Sequence, residues 1–164
     1  MALKSDRNEV QTDISFFMNE VATRGGVASM QTAGSGAAMD QGAALVRYAA
    51  SASGQVPMGL LLNDMVNLDL TRQHINQHKD EVQKGGKVTI LRKGYVVTNS
   101  LSCATAAAAG DVAYVQLNGT IANSGCVSDH TGRAGSSIGT FLSSIDEDGY
   151  AKVEVNLPNS NGGQ

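Results

Sequence analysis

The chain has 164 residues, 41% of them hydrophobic, 16% charged and 4% aromatic with no Trp, and its net charge is −3. That length and apolar content suit one ordinary domain with its own core and argue against global disorder. The negative balance lacks the basic footprint of a general nucleic-acid binder, so no direct nucleic-acid contact is expected. Nineteen glycines and many alanines suit a chain that buries small-residue surface against neighbours, or equally an ordinary β domain with long loops.

In chain order, Met1 to Arg7 has no apolar core behind a basic start, so a non-secreted product is expected. Residues 1 to about 12 are polar without a clear period, which suggests an arm ordered only by contact with something else. Ile14, Phe16 and Met18 alternate with Ser15, Phe17 and Asn19 as in a short strand, which Arg24-Gly25-Gly26 breaks. Small residues dominate from Val27 to Ser53. Within them Ala43 to Ala50 reads as a strand, because Gly-containing pairs flank it and no helix cap is evident. Val56-Pro57 marks an edge or strand start, since proline cannot donate to a ladder. Met58 to Asp64 follows, and then Val66, Leu68 and Leu70 alternate with polar residues. Residues 71–86 read as one long polar loop ending at Gly85-Gly86, of the kind that is usually functional.

From Lys87 onward, short apolar strands are punctuated by glycine turns. Lys87 to Leu91, Tyr95 to Thr98, Val112 to Leu117, Thr120 to Ala122 and Phe141 to Ile145 are separated at Lys93-Gly94, Ala109-Gly110-Asp111, Asn118-Gly119 and the connections 100–110 and 123–137. After the turn Asp146-Glu147-Asp148-Gly149, the last run alternates without a fault. Ala151, Val153, Val155 and Leu157 take one face; Tyr150, Lys152, Glu154 and Asn156 take the other. Asn-Gly and Asp-Gly supply the positive φ that tight hairpins need. The pattern predicts a compact antiparallel β domain. Residues 1–26 form an arm and a short strand, 27–157 the domain, and 158–164 a flexible tail.

Charge is uneven. Arg72, Lys79, Lys84, Lys87, Arg92 and Lys93 stand against Asp80 and Glu81, a window of +4, which leaves six cations against thirteen carboxylates elsewhere. Such a dipole can steer one face toward an acidic partner, or be a solvated face with none. Candidate chemistry is thin. Gly34-Ser35-Gly36 lacks the Lys-Ser or Lys-Thr pair of a P-loop. His74 and His78 have a zinc-compatible spacing, but Ile75 stands where a metalloprotease has Glu, and His130, Cys103 and Cys126 add no paired ligand spacing. Ser128-Asp129-His130 are adjacent in sequence, where triad geometry is rarely met, and no nucleophile elbow appears. Asp146-Glu147-Asp148 lacks EF-hand spacing and reads as an acidic hairpin tip. Cys103 and Cys126 read as free thiols, with a single bridge as the alternative. No run is long enough for a membrane span. The expectation is a non-enzyme without metal or cofactor.

The order of pieces resembles the capsid decoration, or cement, proteins of tailed bacteriophages. The resemblance rests on Val56 to Asp64, Gly86 to Gly94, Ala109 to Val115, Asn118-Gly119-Thr120, Ile138 to Leu142 and the strand Tyr150 to Leu157. It implies a small β-barrel or β-tulip-like domain with an extended N-terminal arm and long small-residue loops. It further implies a homotrimer on the outer surface of the virion capsid, made in the host cytoplasm, that binds the major capsid protein and stabilises the expanded shell against DNA pressure. The arm would reach onto the shell through Arg7, Phe16 and Phe17, with Arg72 and Lys79 as weaker contacts, and no catalytic residue is implied. Rival readings are a tail or fibre module, a ligand- or carbohydrate-binding β domain poorly supplied with aromatics, and a hydrolase built on Ser128.

Overall fold

The computed structural model describes residues 3–31, 45–48, 56–64, 81–102, 107–123 and 136–157, and the structural statements below concern these. The strands are β1 (Leu3–Met18), β2 (Ala22–Thr23), β3 (Val27–Met30), β4 (Leu45–Tyr48), β5 (Pro57–Asp64) and β6 (Glu81–Val82). They continue with β7 (Lys87–Thr98), β8 (Val112–Val115), β9 (Ile121–Ala122), β10 (Ser137–Phe141) and β11 (Ala151–Asn156), with one short 3-10 turn at Leu117–Gly119. Nine strands form a sheet in the order β1-β4-β3-β5-β7-β11-β10-β8-β9, β1 also pairs with β7, and β2 and β6 make a separate ribbon. The expected all-β class is what is observed, with a sandwich-like arrangement of strands about two apolar clusters.

Strand β7 organises the sheet. Along one edge it carries β1, from Leu3 opposite Thr98 to Phe17 opposite Lys87. Along the other it carries β5 over Val88 to Leu91 and then β11 over Lys93 to Thr98. Because β1 also pairs with β4, the pairings β1–β4–β3–β5–β7–β1 form a circuit. Side chains leave β5 and β7 toward both faces. Leu60, Leu62, Leu91 and Val96 join Phe141, Ile138, Val153 and Val155 in one cluster. Leu61, Val88 and Ile90 join Phe16, Met18, Val46 and Val82 in the other. A strand buried on both faces needs no polar alternation, which explains the unbroken Leu60-Leu61-Leu62.

The terminal strand behaves as its sequence dictates: Ala151, Val153, Val155 and Leu157 are buried, while Glu154 and Asn156 are exposed. At the Asn118-Gly119 turn both residues have positive φ, 56° and 70°, and Thr120 N–H closes onto the Leu117 carbonyl at 3.1 Å. At the acidic tip Gly149 alone has positive φ, 80°, and its N–H reaches the Asp146 carbonyl at 3.0 Å. Pro57 opens β5 as expected, and Leu45–Tyr48 of the ambiguous small-residue stretch is a strand.

Four expectations are corrected. The N-terminal segment is no arm ordered by an outside partner but a sixteen-residue strand laid along β7. It carried no period because Asp6 to Thr12 are exposed on both faces, leaving Leu3, Phe16 and Met18 as its buried anchors. The Ile14-Phe16-Met18 alternation is also interrupted. The four residues from Asp13 to Phe16 oppose three from Ile90 to Val88, and this bulge turns Ile14 out to 46% exposure. Ser15 N–H bonds Asp13 Oδ1 at 2.8 Å across it.

Lys93-Gly94 is not a turn. Strand β7 runs straight through it, and Gly94 (φ +140°) lets β1 approach so closely that a Cβ there would lie 2.0 Å from the Asn8 carbonyl oxygen. The polar loop read over 71–86 contains β6, whose Val82 is 1% exposed in the second core cluster. The run Val66, Leu68 and Leu70 lies outside the described residues, as does the tail after Leu157.

These contacts give two expectations. Gly94→Ala should lower unfolding stability by about 2–4 kcal/mol through backbone strain and overpacking. Gly149→Ala, with open space around it, should cost only about 1–2 kcal/mol; equal losses in urea titrations would contradict the close β1–β7 approach. Phe141→Ala, deleting a side chain 1% exposed at the centre of the larger cluster, should cost about 3–5 kcal/mol in the same titration.

Candidate functional site

The surface that stands out is the middle of β1. Strand β7 occupies one of its edges, and β4 occupies the other only at Phe17 and Met18. Asp6 to Thr12 therefore form a flange with solvent on both faces and, among the described residues, no strand on the outer edge. Val10 is 70% exposed, the most exposed large apolar side chain described. Arg7 Nε pairs with Glu9 Oε1 at 2.8 Å on this flange.

The residues proposed from sequence are dispersed. Arg7 is exposed on the flange. Phe16 is 7% exposed and belongs to the second core cluster, so its ring offers little outward surface. Phe17 is half-buried, opposite Lys87 and Leu45. Arg72 and Lys79 lie outside the described residues, as do Gly34 to Gly36, His74, His78, Cys103, Cys126 and Ser128 to His130. Of the basic window, Lys84 and Lys93 are exposed, and Arg92 Nη1 stands 3.9 Å from Asp13 Oδ2. Asp13 is held below the ordinary carboxylate range, first by the Ser15 hydroxyl and then by its backbone N–H and Arg92. Reasoning from sequence missed Val10 and the flange; the only signal was an isolated valine in a polar stretch.

A strap ties the start of β1 to the acidic hairpin tip. Asp146 Oδ1 accepts the backbone N–H groups of Asp148 at 3.1 Å and Tyr150 at 2.6 Å, and Lys4 Nζ donates to Asp146 Oδ2 at 3.0 Å. Lys4 also lies 4.1 Å from the Tyr150 ring centroid. Next to it, Lys152 spans Asp6 at 3.4 Å and the Tyr95 ring at 3.9 Å. These carboxylates work as a turn cap and an anchor for Lys4. Among the described residues no group of three or more His, Cys, Asp or Glu side chains is placed to hold a metal ion.

An open cleft of about 450 Å³ lies beside β2, lined by Glu20, Arg24, Tyr48, Asn99 and Ser100 among others. Tyr48 closes its floor. The ring fits between Gly26 and Gly119, where added Cβ atoms would fall 2.8 and 2.5 Å from it. Its hydroxyl donates to the Thr23 carbonyl and accepts the Gly26 N–H at 3.2 Å. Burial pushes this phenol well above its ordinary range, so it acts as a structural donor. The cleft's lining holds one carboxylate and one guanidinium with no His, Cys or Lys. No described helix is long and apolar enough to cross a membrane.

The strap has a pH signature. Asp146 is depressed below its ordinary 3.8, chiefly by the Tyr150 N–H and then by Lys4, so its contribution is present above that value and lost as pH falls through the lower folded value. Lys4 is raised above 10.5, chiefly by Asp146, so its contribution fades only at pH above that. Melting temperature against pH should fall more steeply below pH 3.8 in the parent than in Asp146→Asn; superimposable acid limbs would remove the strap from the account.

Among curated proteins, none matches the chain. A family model of structural cement proteins, described by E217 gp24 and Pam3 gp6, matches residues 7–156, which takes in β1 from Arg7 and every strand from β2 to β11. A match of that extent, on an all-β fold with exposed strand surface, carries a structural role in a phage capsid: the chain belongs to the phage structural cement proteins.

Proposed function

We propose that this cement protein decorates the outer surface of a phage head. In this reading it binds the major capsid protein of the expanded shell as a homotrimer and holds neighbouring capsomers together against the pressure of packaged DNA. The observation that carries the reading is the family match across residues 7–156. The pairing circuit of β1, β4, β3, β5 and β7 is read as the small barrel of the decoration domain. Fastening of this kind needs many modest contacts repeated by symmetry, where effective concentration multiplies weak affinities. It requires no reactive group.

Shell contact is assigned to the β1 flange, with Arg7 and Phe17 as its side-chain contributors and Phe16 as the residue that fixes the strand in the core. Strand edges bind through main-chain hydrogen bonds without special side-chain chemistry. The basic window, with Lys84 and Lys93 exposed, supplies attraction to acidic capsid surface, to which Arg72 and Lys79 add their charge.

The test is co-sedimentation with empty expanded heads. Deleting the first dozen residues would also remove Leu3 and the partner of β7, so the cleaner variant changes only flange side chains. Arg7→Glu with Val10→Asp should keep the fold and reduce occupancy at least tenfold, whereas unchanged occupancy would remove the flange from the interface. Attachment should weaken between 50 and 500 mM salt, as expected of exposed charges screened over about 10 Å or less; occupancy indifferent to salt would discard the basic face. Labelled protein found on tails rather than heads would replace the shell reading with the tail-module one.

A further inference from the structure

Two buried polar atoms on β3 and β4 have no partner, and the residues that carry them stand opposite one another. The two strands pair in an unshifted register, with Ala28 across from Tyr48, Ser29 from Arg47 and Met30 from Val46. Ala28 and Val46 enter the smaller core cluster, so by alternation Ser29 and Arg47 share the opposite face. Ser29 is 0% exposed and its Oγ has no hydrogen bond. Arg47 is half-buried, and its Nε is buried without one. Among the described residues no carboxylate pairs with this guanidinium. Glu20, beside the same strand, accepts the Tyr48 N–H at 2.6 Å instead. Buried donors left unmet are costly and call for an explanation. A carboxylate oxygen accepts from a hydroxyl and a guanidinium alike.

The chain carries a carboxylate suited to that position. At the acidic tip Asp146 is occupied by the backbone of Asp148 and Tyr150 and by Lys4, and Asp148 lies 3.9 Å from the same lysine. Glu147 is exposed at the apex. Among the carboxylates whose side chains are described, it alone has neither a hydrogen bond nor an ion pair. We infer that Glu147 of one copy docks on the Arg47–Ser29 pair of the next, head to tail. The tip is tied to the start of β1 through Lys4, whereas β4 pairs with the end of β1 at Phe17 and Met18, so the two surfaces do not meet within one chain. A carboxylate takes the Nε–Nη edge of a guanidinium through two parallel hydrogen bonds. A rotamer change of Arg47, of the kind common at interfaces, opens that edge. The contact rests on the homotrimer reading above and supplies its interface: tip and face are different surfaces, and such heterologous contacts close into rings when the rotation permits. It uses neither the β1 flange nor the basic window.

Sedimentation of the purified full-length chain, without shells, tests the contact apart from head binding. The parent should run as a trimer. Glu147→Lys and Arg47→Glu should each weaken association at least tenfold, because each sets like charges together at the contact. The double variant, with the charges exchanged, should restore it. Arg47→Met keeps the apolar stem and buries no new charge; it should weaken association as well, and it stands in for Arg47→Glu if circular dichroism shows that variant unfolded. A parent trimer left intact by Glu147→Lys and Arg47→Met would overturn the tip-to-face contact while leaving the homotrimer reading in place. Weakening in both single variants without recovery in a folded double variant would also overturn it. Open chains in place of a trimer, abolished by Glu147→Lys, would keep the contact and remove the ring. A parent monomeric at every concentration would remove both.

Discussion

The structure depends on β7 being paired along both of its edges. With β1 on one side and β5 followed by β11 on the other, every other large piece of the sheet is positioned relative to this strand. Backbone groups buried away from water must find partners, and a strand held on two edges with side chains entering clusters on both faces meets that demand along most of its length. Gly94 is where this arrangement is tightest, because the β1 backbone closes to a distance that leaves no room for a side chain.

That placement also produces the molecule's exposed feature. A strand that contributes few side chains to the core can still be fixed by its ladder and by anchors at its ends, and β1 is such a strand. Leu3 plugs the larger cluster, Phe16 and Met18 plug the smaller, and Lys4 ties the start to the acidic hairpin. The stretch between is thereby presented to solvent in a defined, extended conformation without the ordering cost that a free arm would meet on binding. The same rigidity separates the two roles of the phenylalanines, one spent in the core and one on the margin.

Much of the fold was legible because its signals were local. The alternation from Ala151 to Leu157, the Asn118-Gly119 turn and the proline at the start of β5 each follow from strand periodicity or allowed φ, and these are properties of a few neighbouring residues. What escaped was non-local. Residues 6 to 12 lack a buried side, so no period marks them as a strand; only pairing with β7, some eighty residues away, does. Gly94 looks like a turn from its neighbours and is instead a close approach, since a glycine's purpose depends on what lies across from it. Val82 carried no warning within a polar loop, because a two-residue strand is too short to show a pattern. The acidic tip was read correctly as a tip, yet its role as the post for Lys4 joins positions at opposite ends of the chain. The site was less legible than the fold. Arg7 was named for its position in the sequence, whereas the flange around Val10 emerges only from the sheet order.

Cryo-electron microscopy of mature particles tests the central claim most directly. The account predicts density fitting this β fold on the outside of the head at repeated local symmetry positions, with β1 in contact with a neighbouring chain. Density confined to the tail, or a head surface bare of this protein, would contradict it.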